Sequence, residues 1–289
     1  MGNLLAWGTR VIQWLQALGN PTLDSIFEGI TFLGDERFYL LMIPFLYWVV
    51  DKALAIRLSF VYLGSAYVNT SLKAIFAVPR PSPAAVRVIA PAEGYAFPSG
   101  HTQTTSTIWG YLATQVQRAW FWAVAGVIVV LVAFSRVYLG VHYPQDVIVG
   151  LVLSIVLVAC YNWLVRSYGA RIANLPLVIR LGLACAVPLI LLALHAEKDT
   201  VSAMSTLLGL GVGLTLEQEW VRFSSAGSVA KRAIRFVAGL VVLLALYLGL
   251  KAIFPTGLLF RGLRYALIGV WASLGAPWLF VTLKLAEAE

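Results

Sequence analysis

Apolar residues run along this chain in blocks of about twenty, separated by short polar breaks, and each block reads as one helix able to cross a hydrocarbon core of about 30 Å. The blocks fall at about 36–51, 53–76, 99–117, 119–138, 145–166, 175–195, 201–218 and 234–254, with a further candidate at 263–284. Eight spans are expected, or nine with the last. The pattern before residue 36 differs. Leu4, Leu5, Trp7, Val11, Ile12, Trp14 and Leu15 share most of one helical face while Arg10 and Gln13 lie elsewhere, which suits a helix resting in the interface. A break at Gly19, Asn20 and Pro21 starts a second short helix through Phe27 and Phe32. Arg10 interrupts any leader-like apolar core, so no cleavable signal peptide is expected. The one long irregular stretch, 77–98, is polar and contains Pro79, Pro81, Pro83, Pro91 and Pro98. Loops of that length are usually functional.

Composition sharpens this picture. Of 289 residues, 60% are hydrophobic and 12% charged, which excludes a soluble globular chain, a disordered one and a disulfide scaffold. The expected fold is an all-α, polytopic transmembrane helical bundle. A net charge of +8 is spread thinly over connecting segments and forms no basic stripe, so a nucleic-acid partner is not expected. The cations report topology instead. Lys52, Arg57, Arg118, Arg166, Arg171, Arg180, Arg222, Lys231, Arg232 and Arg235 fall on one side, expected to be cytoplasmic, and the 77–98 loop faces outward. Cys160 and Cys185 sit in apolar stretches and behave as small hydrophobes.

Three polar clusters at helix ends map to the outward face. Polar groups there cost free energy unless they are paired or solvated, so a functional reading comes first. Lys73 and Arg80 close the second span, Pro98, Ser99, Gly100 and His101 open the third, and Ser135, Arg136, His142 and Asp146 bridge the fourth and fifth. Lys73 and Arg80 are two helical turns apart, so unwinding at Pro79 aims both at one point, and Arg136 adds a third cation. Three cations without a run of carboxylates make an anion site, and arginine's fork suits phosphate oxygens. Ser99 and Gly100 add a helix start whose N–H groups point outward. A cation at a helix end also snorkels toward headgroups in many membrane proteins, but the adjacent histidines favour the anion site here.

Two of the chain's three histidines, His101 and His142, lie in these clusters. Two imidazoles, a carboxylate and an anion cradle are the parts for phosphoryl transfer through nitrogen. Asp146 can accept a hydrogen bond from one ring nitrogen of His142, freeing the other to attack phosphorus, and His101 can protonate the departing alkoxide.

These residues, in this order, resemble the three-part signature of the type 2 phosphatidic acid phosphatases: Lys-x6-Arg-Pro at Lys73, Arg80 and Pro81; Pro-Ser-Gly-His at Pro98, Ser99, Gly100 and His101; Ser-Arg-x5-His-x3-Asp at Ser135, Arg136, His142 and Asp146. The resemblance spans roughly 20–166. It implies a metal-independent lipid phosphatase without a cofactor. It makes His142 the nucleophile that forms a phosphohistidine, Asp146 its orienting group and His101 the general acid. Lys73, Arg80, Ser99, Gly100 and Arg136 become the phosphate cradle. The chain is then expected to divide into interfacial helices over 1–35, a catalytic transmembrane core over 36–168 and a C-terminal helical extension over 169–289. That extension is expected to supply a dimer surface, shape the lipid entrance or carry a second activity. Arg87, Glu93, Tyr95 and Phe97 of the outward loop are candidate substrate-specificity residues. The expected partners are the bilayer and a membrane lipid phosphate or diphosphate. The expected location is a bacterial inner membrane, with the site facing the periplasm or exterior.

Two rival readings stay open: a phosphotransferase that passes the phosphate to an alcohol, and a transporter that only binds the headgroup. Elsewhere, Gly209, Gly211 and Gly213 read as a helix-packing stripe, His195 as an interfacial residue, and Glu217, Glu219 and Arg222 as a locally paired helix end.

Overall fold

The structure, a computed structural model, describes residues 2–288. Its helices are α1 (Gly2–Ala17), α2 (Pro21–Thr31), α3 (Glu36–Phe45), α4 (Lys52–Phe76), α5 (Gly100–Val116), α6 (Ala119–Tyr138), α7 (Pro144–Ala173), α8 (Leu177–Leu194), α9 (Lys198–Leu216), α10 (Val229–Ile253), α11 (Leu258–Val270) and α12 (Ala276–Thr282). Among the described residues the only extended pairing is an isolated bridge between Phe223 and Ala288. Among the described residues six helical segments are long and apolar enough to cross a membrane. Each of the nine expected blocks is helical. The chain is thus an all-α, multi-pass membrane protein. Wider π-helical turns continue α3, α9 and α11, at Leu46–Val50, Glu217–Val221 and Trp271–Gly275.

The chain forms two compact units, Met1–Tyr39 with Val68–Asn162, and Leu40–Tyr67 with Trp163–Glu289. In the first, α1 buries Gly8, Ile12 and Gln16 and leaves Leu4, Trp7 and Trp14 exposed. Ile12 packs in a core with Val86, Ala133, Val137, Tyr143 and Val147. Asn20 caps α2 by accepting from the Leu23 N–H at 3.0 Å, and Pro21 starts the helix where its missing donor costs nothing. Phe27 of α2 then stacks on Tyr138 of α6 with centroids 4.5 Å apart. Helix α5 is unusual in burying Thr102, Gln103, Thr105, Ser106 and Thr107. Such a face is tolerated because its groups bond within the protein: Gln103 accepts from Asn69 Nδ2 at 2.8 Å, and Ser106 bonds back to the Thr102 carbonyl.

In the second unit α9 is the most enclosed helix, packed between α8 and α11. A Cβ on Gly209 would lie 2.0 Å from the Ala266 carbonyl oxygen, so only glycine allows this approach and the stripe is a packing surface. The expectation of a locally paired helix end at Glu217 is corrected. Glu217 is fully buried and takes Lys52 Nζ at 2.7 Å and the Phe223 N–H at 2.7 Å on one oxygen, while Glu219 pairs with Arg180 at 3.0 Å. A buried carboxylate needs a cation and donors, and Lys52 supplies the cation from 165 positions away. His195 lies 3.9 Å from Glu197 at the end of α8.

Candidate active site

Helix α4 ends at Phe76, Ala77 turns left-handed (φ 46°), and Val78 to Pro81 cannot continue a helix because two prolines lack donors. This puts Lys73 in the last turn of α4 and Arg80 on the loop just beyond it. Both side chains turn back onto the chain that follows. Lys73 Nζ donates to the Tyr95 carbonyl at 2.9 Å. Arg80 donates through Nε to Gly94 O at 3.0 Å, through Nη2 to Glu93 O at 2.7 Å and through Nη1 to Val141 O at 2.8 Å.

Ser99 is the N-cap of α5 but makes no side-chain cap bond. Its hydroxyl lies 3.0 Å from Thr102 Oγ1, and its N–H donates to the Asp146 carbonyl at 3.0 Å. The first-turn N–H groups at Gly100 and His101 have no carbonyl four residues back within the helix and mark a natural anion position. Gly100 faces Asn69 and the Lys73 side chain. Arg136, in the last turn of α6, is almost fully buried and donates from Nη1 to Thr31 Oγ1 at 2.7 Å.

His142 follows on a tight turn whose Gly140 has φ +72°, and its side chain is 1% exposed. Its Nε2 lies 3.2 Å from Arg80 Nη1. Arginine can only donate, so Nε2 must offer its lone pair and the ring proton must sit on Nδ1. Nδ1 faces Asp146 Oδ2 at 3.5 Å. At that separation the hydrogen bond expected from the spacing is not formed; Oδ2 takes the Tyr143 N–H at 2.8 Å instead. Burial, then the charges of Arg136, Arg80, Lys73 and His101, push the His142 imidazole well below its ordinary range. It is held neutral, with a lone pair aimed at the cations. Burial also lowers Arg80, with Asp146 opposing.

The signature residues therefore converge. His101 is electrostatically coupled to Arg136, Lys73 and Arg80, and His142 to His101. The loop candidates separate. Glu93 and Tyr95 meet the cations through their carbonyls, and Phe97 packs edge-on against Phe76 at 5.1 Å. Arg87 is bound to Asp24, whose other oxygen accepts from Tyr138 at 2.7 Å, so its guanidinium is committed to α2 and not to the cradle.

Sequence reasoning passed over Gln16. Its amide grips Arg87 from both sides, Nε2 donating to Arg87 O at 2.7 Å and Oε1 accepting from Arg87 N at 3.0 Å, while Nε2 also reaches Tyr138 O at 2.8 Å. A Cβ at Gly140 would lie 2.2 Å from Arg87 O, so this junction requires glycine. Gln16 thus ties α1, the loop and the His142 turn together. At about 1 kcal/mol per bond, Gln16→Ala is expected to accelerate amide exchange at Arg87 and Ile89 at least about tenfold, measured by hydrogen exchange in detergent.

A PAP2 superfamily profile matches residues 54–169, and one for the PAP2 superfamily phosphatase transmembrane extension matches 201–288. Lipid phosphate phosphatase delta of Arabidopsis thaliana is 29% identical over 171 residues, 53% of this chain and 41% of that protein. Sphingosine-1-phosphate phosphatase 1 of Rattus norvegicus is 27% identical over 211 residues, 69% of this chain and 49% of that protein. In these two cases the chain spans under half the length of the relative. Phosphatidylglycerophosphatase B of Bacillus subtilis (strain 168) is 30% identical over 167 residues, 53% of this chain and 78% of that protein. With the signature clustered in space and a relative of this identity matched over most of its length, the chain belongs to the PAP2 superfamily.

Proposed function

We propose that this chain is a lipid phosphatase that removes a terminal phosphate from a lipid phosphate or diphosphate through a phosphohistidine on His142. The observation that carries this reading is the pairing of the His142 Nε2 lone pair with Arg80 Nη1 at 3.2 Å, with Asp146 behind the opposite ring nitrogen. A phosphate entering between them takes the Arg80 N–H and leaves Nε2 facing phosphorus. Nε2 attacks, the phosphorus–oxygen bond to the lipid breaks, and His101 gives its proton to the departing alkoxide. Water then attacks phosphorus and gives a proton to His101 while the phosphorus–Nε2 bond breaks, releasing phosphate and the His142 lone pair. Lys73, Arg80, Arg136 and the N–H groups at Gly100 and His101 balance the charge on the equatorial oxygens.

The substrate class follows from the membrane setting and from the names of the relatives, which act on sphingosine 1-phosphate and on phosphatidylglycerophosphate. The lipid chain stays in the bilayer while the headgroup reaches the cradle beneath the 82–97 loop. The distribution of cations outside the site supports an extracytoplasmic active site.

The test is phosphate release by purified protein from phosphatidate, phosphatidylglycerol phosphate, a sphingoid-base phosphate and a polyprenyl diphosphate, with chelator and orthovanadate in parallel. Release that resists chelator and is blocked by vanadate is expected. Substrate consumed without matching free phosphate would point instead to transfer to an alcohol. Headgroup binding without turnover of any lipid would refute the phosphatase reading.

A further inference from the structure

The turn between α2 and α3 was not singled out by any motif, yet it is built into the site. Three contacts hold it there. Arg136 Nη1 donates to Thr31 Oγ1 at 2.7 Å. The buried Tyr39 hydroxyl donates to Leu33 O at 2.6 Å and lies 3.4 Å from Thr105 Oγ1 on the helix that carries His101. Gly34 lies so close to that helix that a Cβ there would sit 3.1 Å from His101 Cβ and 3.0 Å from Thr105 Oγ1. The residue that follows is Asp35. Its Oδ1 accepts from Arg37 N at 2.9 Å and Arg37 Nε at 2.8 Å, and Oδ2 from Arg37 Nη2 at 3.0 Å.

The charges at this end of the site are lopsided. Burial first, then Arg136 on α6, Lys73 on α4 and Arg80 on the loop, all work against a positive charge on His101. Of the charged groups that act on His101 most strongly, Asp35 alone is a carboxylate. Asp146 acts on Arg80, and Asp35 on Arg136 and His101. Asp146 thus stands 3.5 Å behind the His142 ring, and Asp35 is the carboxylate whose charge reaches His101. Burial favours the neutral form of Asp35, but the Arg37 bonds and charge outweigh it and hold the carboxyl below its usual range, so it is ionised across the working pH. Arg37 is 70% exposed, so solvent screens its charge and the field of Asp35 toward the interior is only partly cancelled.

We propose that Asp35 is a positioning residue for leaving-group departure: set beside His101 by the Gly34 contact, its carboxylate offsets part of the cost of forming the imidazolium that protonates the lipid alkoxide. Asp35 itself gives and takes no proton. The proton passes from His101 to the ester oxygen as the phosphorus–oxygen bond breaks. This inference rests on His101 being the acid.

The experiment compares wild type, Asp35→Asn, Asp35→Glu, Arg37→Gln and His101→Ala as full-length protein in detergent. Two esters are used, a lipid phosphate with an alkyl leaving group and p-nitrophenyl phosphate, whose phenolate leaves without a proton. Losing the carboxylate makes the imidazolium harder to form. Asp35→Asn should therefore move the basic limb of the kcat/KM profile for the lipid down by roughly half to one pH unit. At pH 8 it should lower kcat for the lipid about tenfold and leave p-nitrophenyl phosphate within about twofold. Asp35→Glu should restore most of the loss. Arg37→Gln, which keeps the carboxylate and removes its cation, should move the basic limb up. That opposite shift tests the idea even if Asp35→Asn fails to fold. Equal loss on both esters with an unmoved pH profile, or no loss on either, would overturn the role of Asp35. If His101→Ala slows the burst of phosphoenzyme formation from both esters alike, the acid assignment itself fails. If it discriminates between them and Asp35→Asn does not, only the present inference falls.

Discussion

His142→Ala is expected to abolish lipid-phosphate hydrolysis, by at least about 10³-fold in kcat, while helical content and detergent extraction stay as in the wild type. The imidazole is the sole group that brings a neutral nitrogen lone pair against Arg80, and no other described side chain contacts that Arg80 N–H. A methyl group there leaves the cradle able to bind phosphate without a route to a covalent intermediate. Substrate should therefore still bind, and acid-labile phosphoprotein formed from labelled lipid should vanish. A related effect appears in the pH profile. The attacking form is neutral, and burial with four neighbouring positive or ionisable groups pushes His142 well below the ordinary value of about 6.5. Activity is lost only as pH falls through that lowered value, so the acid limb should lie clearly below 6.5. Hydrolysis by His142→Ala at a substantial fraction of the wild-type rate would end the covalent assignment.

Arg80→Lys is expected to be nearly as damaging, with kcat/KM lower by about 10²-fold or more despite the conserved charge. The guanidinium bridges four acceptors at once: Glu93 O, Gly94 O, Val141 O and His142 Nε2. Its planar fork reaches the loop on one edge and the histidine turn on the other. An ammonium group is a single point with three donors and cannot span both. The lysine variant should thus free the Glu93 and Gly94 carbonyls, loosen the loop and leave His142 without the donor that fixes its tautomer. A rate within threefold of wild type would show that charge alone suffices at this position.

How far these features were legible in the chain varies with the range of the interaction that makes them. The apolar block at 53–76 is helix Lys52–Phe76, and 119–138 is Ala119–Tyr138, because length and hydropathy decide a span locally. The block at 145–166 runs on to Ala173, where Arg171 stacks on Tyr168, a polar ending that hydropathy does not register. The three short motifs could be read because each combines residue types that a membrane helix end does not otherwise carry. The pairing of Arg87, a candidate specificity residue, with Asp24 could not be read in advance, because nothing nearby in the chain announces a partner 63 positions earlier. Asp35 and Gln16 carry no motif at all. An aspartate in a turn and a glutamine on an amphipathic helix are ordinary until their neighbours are known.

By itself the sequence determined the all-α, multi-pass character, the break at 77–98 and the chemical types that gather at helix ends, since these depend on spacing and transfer free energy along a single stretch of chain. Only the tertiary structure decided that Nε2 of His142 bears the lone pair, that the Glu93, Gly94 and Tyr95 carbonyls hold the cations, that Gly34 packs on His101 and that Gln16 grips the loop at Arg87. The reason is physical: hydrogen bonds and fields between groups tens to over a hundred positions apart depend on how the helices pack, and that packing is a property of the whole fold.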